Sequence, residues 1–330
     1  MIQKRKLGNT NLLVAPITFG CNVFGWTADE KTSFDLLDAF TLSGFNFLDT
    51  ADIYAKWATG VGGESETIIG KWMKLRNNRD KVIIATKVGM VDAVGKVNIS
   101  KSYIVKAVEE SLRRLQTDYI DLYQTHKDDL TIPVEETLEA HQQLIKAGKV
   151  RWIGASNFSP ARLIASLEAS EKYNLPRYET FQPLYNLYDR EVFEKELEPI
   201  CLENNISVIN FYSLASGFLT GKYRTKADLT KSVRGENRGE TYLNEKLFRI
   251  LKALDDVAAR YNSTPGSIAV AWLLARPSVT APIASATSLV QLNELLKSIE
   301  IKLSAEDISL LNKASAWESK VMEKTNSSQF

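Results

Sequence analysis

A chain of 330 residues can hold one large domain or two ordinary ones, and 44% hydrophobic with 25% charged residues suits a globular protein with ample core. Lys and Arg total 41 against 40 Asp and Glu, so a net charge of +1 offers no global field to nucleic acid or an anionic membrane. Only Cys21 and Cys201 are present, which argues against a disulfide framework. No signal-peptide pattern follows residues 1–10 and the longest apolar run is 268–275, so a cytoplasmic protein without membrane spans is expected.

Short strand-like runs alternate with helix-like segments along the chain. The predicted strands are 17–21, 45–50, 82–87, 120–125, 150–155, 180–184, 207–212 and 280–284. Most are nearly continuous in apolar residues, as parallel strands covered on both faces should be. Their ends recur roughly every 30–40 residues, the rhythm of βα units. Eight such units predict an α/β fold closed as a (β/α)8 TIM barrel, rather than a doubly wound sheet with a Gly-rich first turn. Helix starts are legible at Ser100, at Ser159 with Pro160, at Thr264 with Pro265, and at Ser304, where Asp307 three residues on suggests a capping-box variant. The segment 215–243, after the seventh strand, is long, basic and Gly-rich, and reads as a lid or ligand clamp. A C-terminal helix and a frayed polar tail over 318–330 complete one domain spanning 1–330.

Four chemical groups fall at, or just past, three successive strand ends. The second predicted strand runs into Asp49-Thr50-Ala51-Asp52-Ile53-Tyr54, the third ends Thr86-Lys87, and the fourth ends Gln124-Thr125-His126. In a closed barrel those ends share one rim, where barrel enzymes keep their chemistry. A Tyr hydroxyl with a pKa of about 10 is a reluctant acid at neutral pH. A Lys87 ammonium beside it should lower that value, with Asp49 orienting the lysine and His126 bonding or relaying to the substrate oxygen. Positioned acid catalysis of this kind is worth ~10²–10⁴-fold.

These segments resemble the aldo-keto reductase superfamily over nearly the whole chain, and the run Gly63-Glu64-Ser65-Glu66 through Gly70 resembles that family's helix start after the second strand. The resemblance implies a catalytic tetrad of Asp49, Tyr54, Lys87 and His126, NADPH as cofactor, and reduction of a small-molecule aldehyde or ketone with Tyr54 as general acid. It also implies a cofactor site, to which Asp49, with Cys21 and Asn22 after the first strand, belongs. Gly154-Ala155-Ser156-Asn157 resembles the motif whose Ser156 and Asn157 hold the carboxamide, with Gln182 joining them. Phe211-Tyr212-Ser213-Leu214-Ala215-Ser216-Gly217-Phe218-Leu219-Thr220-Gly221-Lys222 resembles a ring-stacking segment followed by a clamp, with Phe211 or Tyr212 on the nicotinamide. Lys222 and Arg234 would face the pyrophosphate. Thr287 would meet the adenosine 2′-phosphate, with Gln291 and Glu294 near the adenine, and Ser285, where many relatives have Gly, belongs to the same cofactor site. Phe24, Trp26, Trp57 and Phe158, all after strand ends, are the expected substrate-pocket aromatics.

Two lookalikes are set aside. Gly60-Val61-Gly62-Gly63 lacks the third spaced glycine of a dinucleotide fingerprint, and Tyr242 to Lys246 copies the spacing of a short-chain dehydrogenase without its Gly-rich turn. No His/Cys cluster has metal-ligand spacing. The alternative to a turnover enzyme is a nicotinamide-binding redox sensor like the potassium-channel beta subunits, and a further one is non-redox acid–base chemistry without cofactor. Either way a monomer or small homo-oligomer is expected.

Overall fold

The computed structural model describes residues 2–91 and 96–317, so the expected tail 318–330 lies outside the described residues. Two short strands, β1 (Arg5–Lys6) and β2 (Leu13–Val14), form an antiparallel hairpin. Eight parallel strands follow: β3 (Thr18–Gly20), β4 (Phe47–Asp49), β5 (Ile83–Val88), β6 (Ile120–Thr125), β7 (Val150–Ser156), β8 (Tyr178–Gln182), β9 (Ser207–Val208) and β10 (Ile283–Ala284). Their order in the sheet is β10-β3-β4-β5-β6-β7-β8-β9. A parallel bridge from Val208 to Val279 joins the two ends, with Thr280 N–H donating to Val208 O at 2.9 Å and Ile283 N–H to Asn210 O at 3.0 Å. The sheet is thus the expected (β/α)8 TIM barrel, curled so that β9 meets the chain entering β10.

Side chains on a strand alternate faces, and here that alternation separates two environments. Phe47, Ala85, Leu122, Ile209 and Ala281 point inward and pack with Leu7, Leu12 and Val14 of the hairpin segment into a small apolar plug. Two residues further along the first three strands, the same inward face carries Asp49, Lys87 and Gln124, all buried. Outward residues such as Leu48, Ile84, Tyr123, Ile153, Phe181 and Val208 join the large core beneath the helices. The barrel is therefore apolar at the hairpin end and polar at the strand C-termini. Gly154, on β7, is required by this crowding, since a β-carbon there would overlap Thr180 Oγ1 and press on Gln124.

The helices begin where expected, but not always by the expected bonds. Ser159 and Thr264 accept from the amides of Arg162 and Ser267 at 3.3 and 3.2 Å. Ser100 does not cap the helix Lys101–Leu115; its hydroxyl donates to Asn98 Oδ1 at 2.8 Å. Ser304 caps Asp307 N–H, yet the reciprocal half of the box is absent, because Ser304 N–H donates to the Tyr261 hydroxyl instead. The segment 215–243 is not an open loop. It holds 3-10 turns at Ala215–Thr220 and Lys226–Lys231 and an α-helix at Val233–Tyr242. The long interval before β10 is filled by two further helices, Glu245–Arg260 and Pro265–Leu274.

Candidate active site

β4 and β5 are neighbours in register, with Asp49 opposite Ala85, so Asp49 and Lys87 stand on adjacent strands facing inward. Tyr54 arrives from the loop after β4, through a turn in which its N–H donates to Ala51 O at 3.2 Å and Ala55 takes a left-handed φ of 70°. Lys87 is fully buried, and its Nζ donates to Asp49 Oδ2 at 2.7 Å, Thr50 O at 2.7 Å and Tyr54 Oη at 2.8 Å. Those three bonds use every proton of an ammonium. The Asp49 carboxylate is fixed in turn: its Oδ1 accepts from Gln182 Nε2 at 2.9 Å and Gln124 Nε2 at 3.2 Å, and Gln182 also donates to Gln124 Oε1 at 3.1 Å. His126, just past β6, is buried with its ring 6.1 Å from that of Tyr54 and nearly edge-on. Its Nδ1 has no hydrogen-bond partner among the described residues.

Burial sets the protonation states. It pushes the Tyr54 phenol well above its ordinary value, and the Asp49 carboxylate raises it further. The expectation that Lys87 would lower it is corrected: removal from water and the nearby anion outweigh the ammonium. Lys87 itself is lowered by burial, opposed by Asp49. Burial, and then Lys87, hold His126 well below the usual histidine value, so the imidazole is neutral at pH 7. The site thus presents a protonated phenol and a neutral imidazole to one cavity, with the fully bonded Lys87 ammonium buried behind the phenol.

That cavity is about 920 Å³ and runs from the tetrad to the helix Leu289–Lys297 after β10. Of the sequence-predicted residues, Asn22, Asp49, Tyr54, Trp57, His126, Ser156, Asn157, Gln182 and the run Phe211–Leu214 line it. So do Ser216, Gly217, Lys222, Arg234, Ser285, Thr287, Gln291 and Glu294. Ser156 Oγ donates to Gln182 O at 2.8 Å, and Asn157, with φ 54°, donates to His126 O at 2.9 Å, which ties β7 to its neighbours. At the far end Thr287 N–H and Oγ1 both donate to Gln291 Oε1.

Other expected residues lie elsewhere. Phe24 and Phe158 do not line the cavity; Phe24 stacks on Phe19 at 5.5 Å and Phe158 packs edge-on to Tyr178 at 5.6 Å, both in the core. Trp26 sits behind Trp57, edge-on at 5.6 Å. Cys21 is buried beneath the cavity, its thiol pushed well up by burial, and Leu219 is buried in the core. Gly221 closes a turn at φ 78° rather than facing the cavity. The dismissed pair does not line the cavity, with Tyr242 Oη donating to Asp189 and Lys246 Nζ to Tyr188 O. Sequence reasoning passed over Gln124, Met90 and Arg238. Gln124 was signalled by its inward parity with Leu122, Arg238 by its spacing four residues after Arg234.

A sequence model of the Aldo/keto reductase family matches residues 16–316. The chain belongs to the aldo/keto reductase family. Its general role is therefore that of an oxidoreductase. Similar members include the uncharacterized oxidoreductase YrpG of Bacillus subtilis, 35% identical over 93% of this chain and 94% of that protein. The aldo-keto reductase YhdN of the same organism is 34% identical over 91% of this chain and 90% of its own. A probable voltage-gated potassium channel subunit beta of Arabidopsis thaliana is 30% identical over 91% and 92%. Among the described residues no helix is long and apolar enough to cross a membrane.

Proposed function

We propose that this aldo/keto reductase reduces aldehydes or ketones to alcohols with NADPH, using Tyr54 as general acid. The observation that carries the proposal is the trio of short bonds from Lys87 Nζ to Asp49, Thr50 and the Tyr54 hydroxyl, in the wall of a deep cavity. The lining suits a nicotinamide dinucleotide. Lys222 and Arg234 face the cavity with no carboxylate partner among the described residues, which fits a pyrophosphate. Ser156 and Asn157 would hold the carboxamide, Phe211 or Tyr212 the ring face, and Thr287, Gln291 and Glu294 the adenosine end. Bound there, the reduced nicotinamide supplies hydride to the carbonyl carbon.

The residues of the chain supply the proton. Tyr54 Oη accepts from Lys87, and its own hydrogen, held only by a long 3.5 Å bond to Asp49 Oδ2, can pass to the carbonyl oxygen. The phenolate left behind lies 2.8 Å from the ammonium, in a site withdrawn from water where such a contact is strong. Neutral His126 donates a hydrogen bond to the same substrate oxygen, while Gln124 and Gln182 keep Asp49 aimed at Lys87. NADPH absorbance, followed over a panel of aldehydes, tests this. Tyr54→Phe is expected to lower turnover ~10²–10⁴-fold while NADPH still binds; equal rates for variant and wild type refute the assignment. Similarity to proteins named channel beta subunits supports a second reading, a nicotinamide-binding redox sensor, which tight NADPH binding with negligible turnover on every aldehyde would favour.

A further inference from the structure

The lid helix Val233–Tyr242 carries two arginines, Arg234 and Arg238, and both line the cavity. Residues four apart share a helix face, so the two guanidinium groups approach the same opening. Neither forms an ion pair among the described residues, whereas Arg224 and Lys231 just upstream pair with Asp255 and Asp228. The arrangement is unfavourable by itself: like charges four apart repel, and Arg234 occupies the first turn, where a cation opposes the helix dipole. An anion in the cavity would relieve both.

The two arginines face different neighbours. Arg234 lies over the Trp26 ring, 5.5 Å from its centre, and its Nη2 is 3.0 Å from the Asn22 side-chain amide, whose oxygen accepts this bond when the amide is turned to face its nitrogen toward Ser285 Oγ. Arg238 instead lies 5.8 Å from the centre of the Tyr212 ring and donates to Tyr212 Oη at 3.3 Å. Tyr212 is held in a left-handed backbone conformation, φ 56°, edge-on to Phe211 at 5.2 Å. Its hydroxyl accepts from Arg238 and keeps its own hydrogen to donate. The carboxylates lining the cavity are not available to Arg238: Asp49 is committed to Lys87, Gln124 and Gln182, and Glu294 stands on the helix beyond β10. The cavity that Arg238 and Tyr54 share is also lined by Met90 and by Trp57, whose ring lies 6.0 Å from that of Tyr54, so it has an apolar part.

We propose that Arg238, together with the Tyr212 hydroxyl, recognises a carboxylate on the substrate, so that this enzyme acts on anionic carbonyl compounds, aldehydes or ketones that also bear a carboxylate. The proposal rests on the reductase function above and names its substrate class. A planar guanidinium fork matches a carboxylate with two parallel hydrogen bonds, and the phenol adds a third. The carboxylate is a handle only: hydride goes to the carbonyl carbon, the Tyr54 proton to its oxygen, and the acid group is unchanged.

The test uses 4-carboxybenzaldehyde and 4-methylbenzaldehyde, which share ring and reacting group and differ in charge. With NADPH, wild type is expected to favour the carboxylated aldehyde by about 10–100-fold in kcat/KM, mainly through KM, the range of a charge-assisted hydrogen bond. Arg238→Gln should bring that ratio close to one, and Arg238→Lys should restore part of it. A wild-type ratio at or below one overturns the proposal. So does an equal loss on both aldehydes with NADPH affinity weakened by the same factor, which would assign Arg238 to a cofactor phosphate. Calorimetric titration with terephthalate, which carries carboxylates but no reducible carbonyl, separates this from the reductase reading. If neither aldehyde turns over yet terephthalate binds wild type and not Arg238→Gln, the anion site stands and the reductase function falls; equal binding to both proteins overturns the site.

Discussion

In the mouth of the barrel the charges of Asp49 and Lys87 meet each other and further partners, whereas in the lid Lys222, Arg234 and Arg238 meet no carboxylate among the described residues. The barrel mouth is over-determined. Removing any one group there leaves a buried neighbour stranded. The lid is under-satisfied, and its groups are partly exposed and await something else. The contrast separates a rigid centre that performs proton transfer from an adjustable cover that chooses what is held beneath it.

Substitutions should expose this difference, the largest effect first. Lys87→Met would strand the Asp49 carboxylate in the barrel, costing about 3–5 kcal/mol of stability and ~10²–10³-fold in turnover. Chemical denaturation and NADPH-coupled rates read both. By contrast Arg238→Gln, in the lid, should shift the unfolding midpoint within the ordinary surface range of about 0.5 kcal/mol. Similar losses of stability in the two variants would erase the contrast.

Acid should attack the barrel before the lid. His141 lies in the core with Nε2 3.1 Å from Thr125 Oγ1, and burial takes its pKa down to about 3. An unfolded histidine titrates near 6.5, so below that pH the unfolded chain binds a proton that the folded one refuses. The stability held by neutral His141 is complete above about pH 6.5 and is lost as pH falls toward 3. Melting temperature measured from pH 7 to pH 4 should fall, and fall less steeply in His141→Gln. Parallel pH curves for the two proteins would contradict this.

The smallest expected effect is at a helix start. Ser159→Ala removes one cap behind β7 and should cost about 1 kcal/mol, seen as a small drop in unfolding midpoint with the lid undisturbed. A null result would mean that Pro160 and the packing of Leu163 hold that helix start without the cap.

Much of the barrel was legible because buried parallel strands are written as continuous apolar runs. Residues 120–125 match β6 without change, and Asp49, Lys87 and His126 sit where those runs end. The hairpin at β1 and β2 was not legible, since two-residue strands carry no period. Nor was the lid helix. Its sequence is polar, and Gly235 and Gly239, which usually argue against a helix, are there because the backbone lies against Leu229. Phe24 and Phe158 show a different limit. Closeness to a strand end does not tell whether a ring turns toward the cavity or back into the core, and here packing against Phe19 and Tyr178 decided it. The direction of the Tyr54 shift was misjudged for a related reason, since a sequence names the neighbouring ammonium but not the loss of water around the phenol.

The central claim, that Tyr54 delivers its proton as a buried phenol whose acidity is set by its surroundings, is tested most directly by the pH dependence of kcat/KM for aldehyde reduction. Because burial raises Tyr54 and lowers His126, the rate should stay level from about pH 6 to 9 and fall only on the alkaline side, above the ordinary tyrosine value of about 10. A profile that falls with a midpoint between about pH 6 and 8, and persists in Tyr54→Phe, would place the acid on another group and contradict the account.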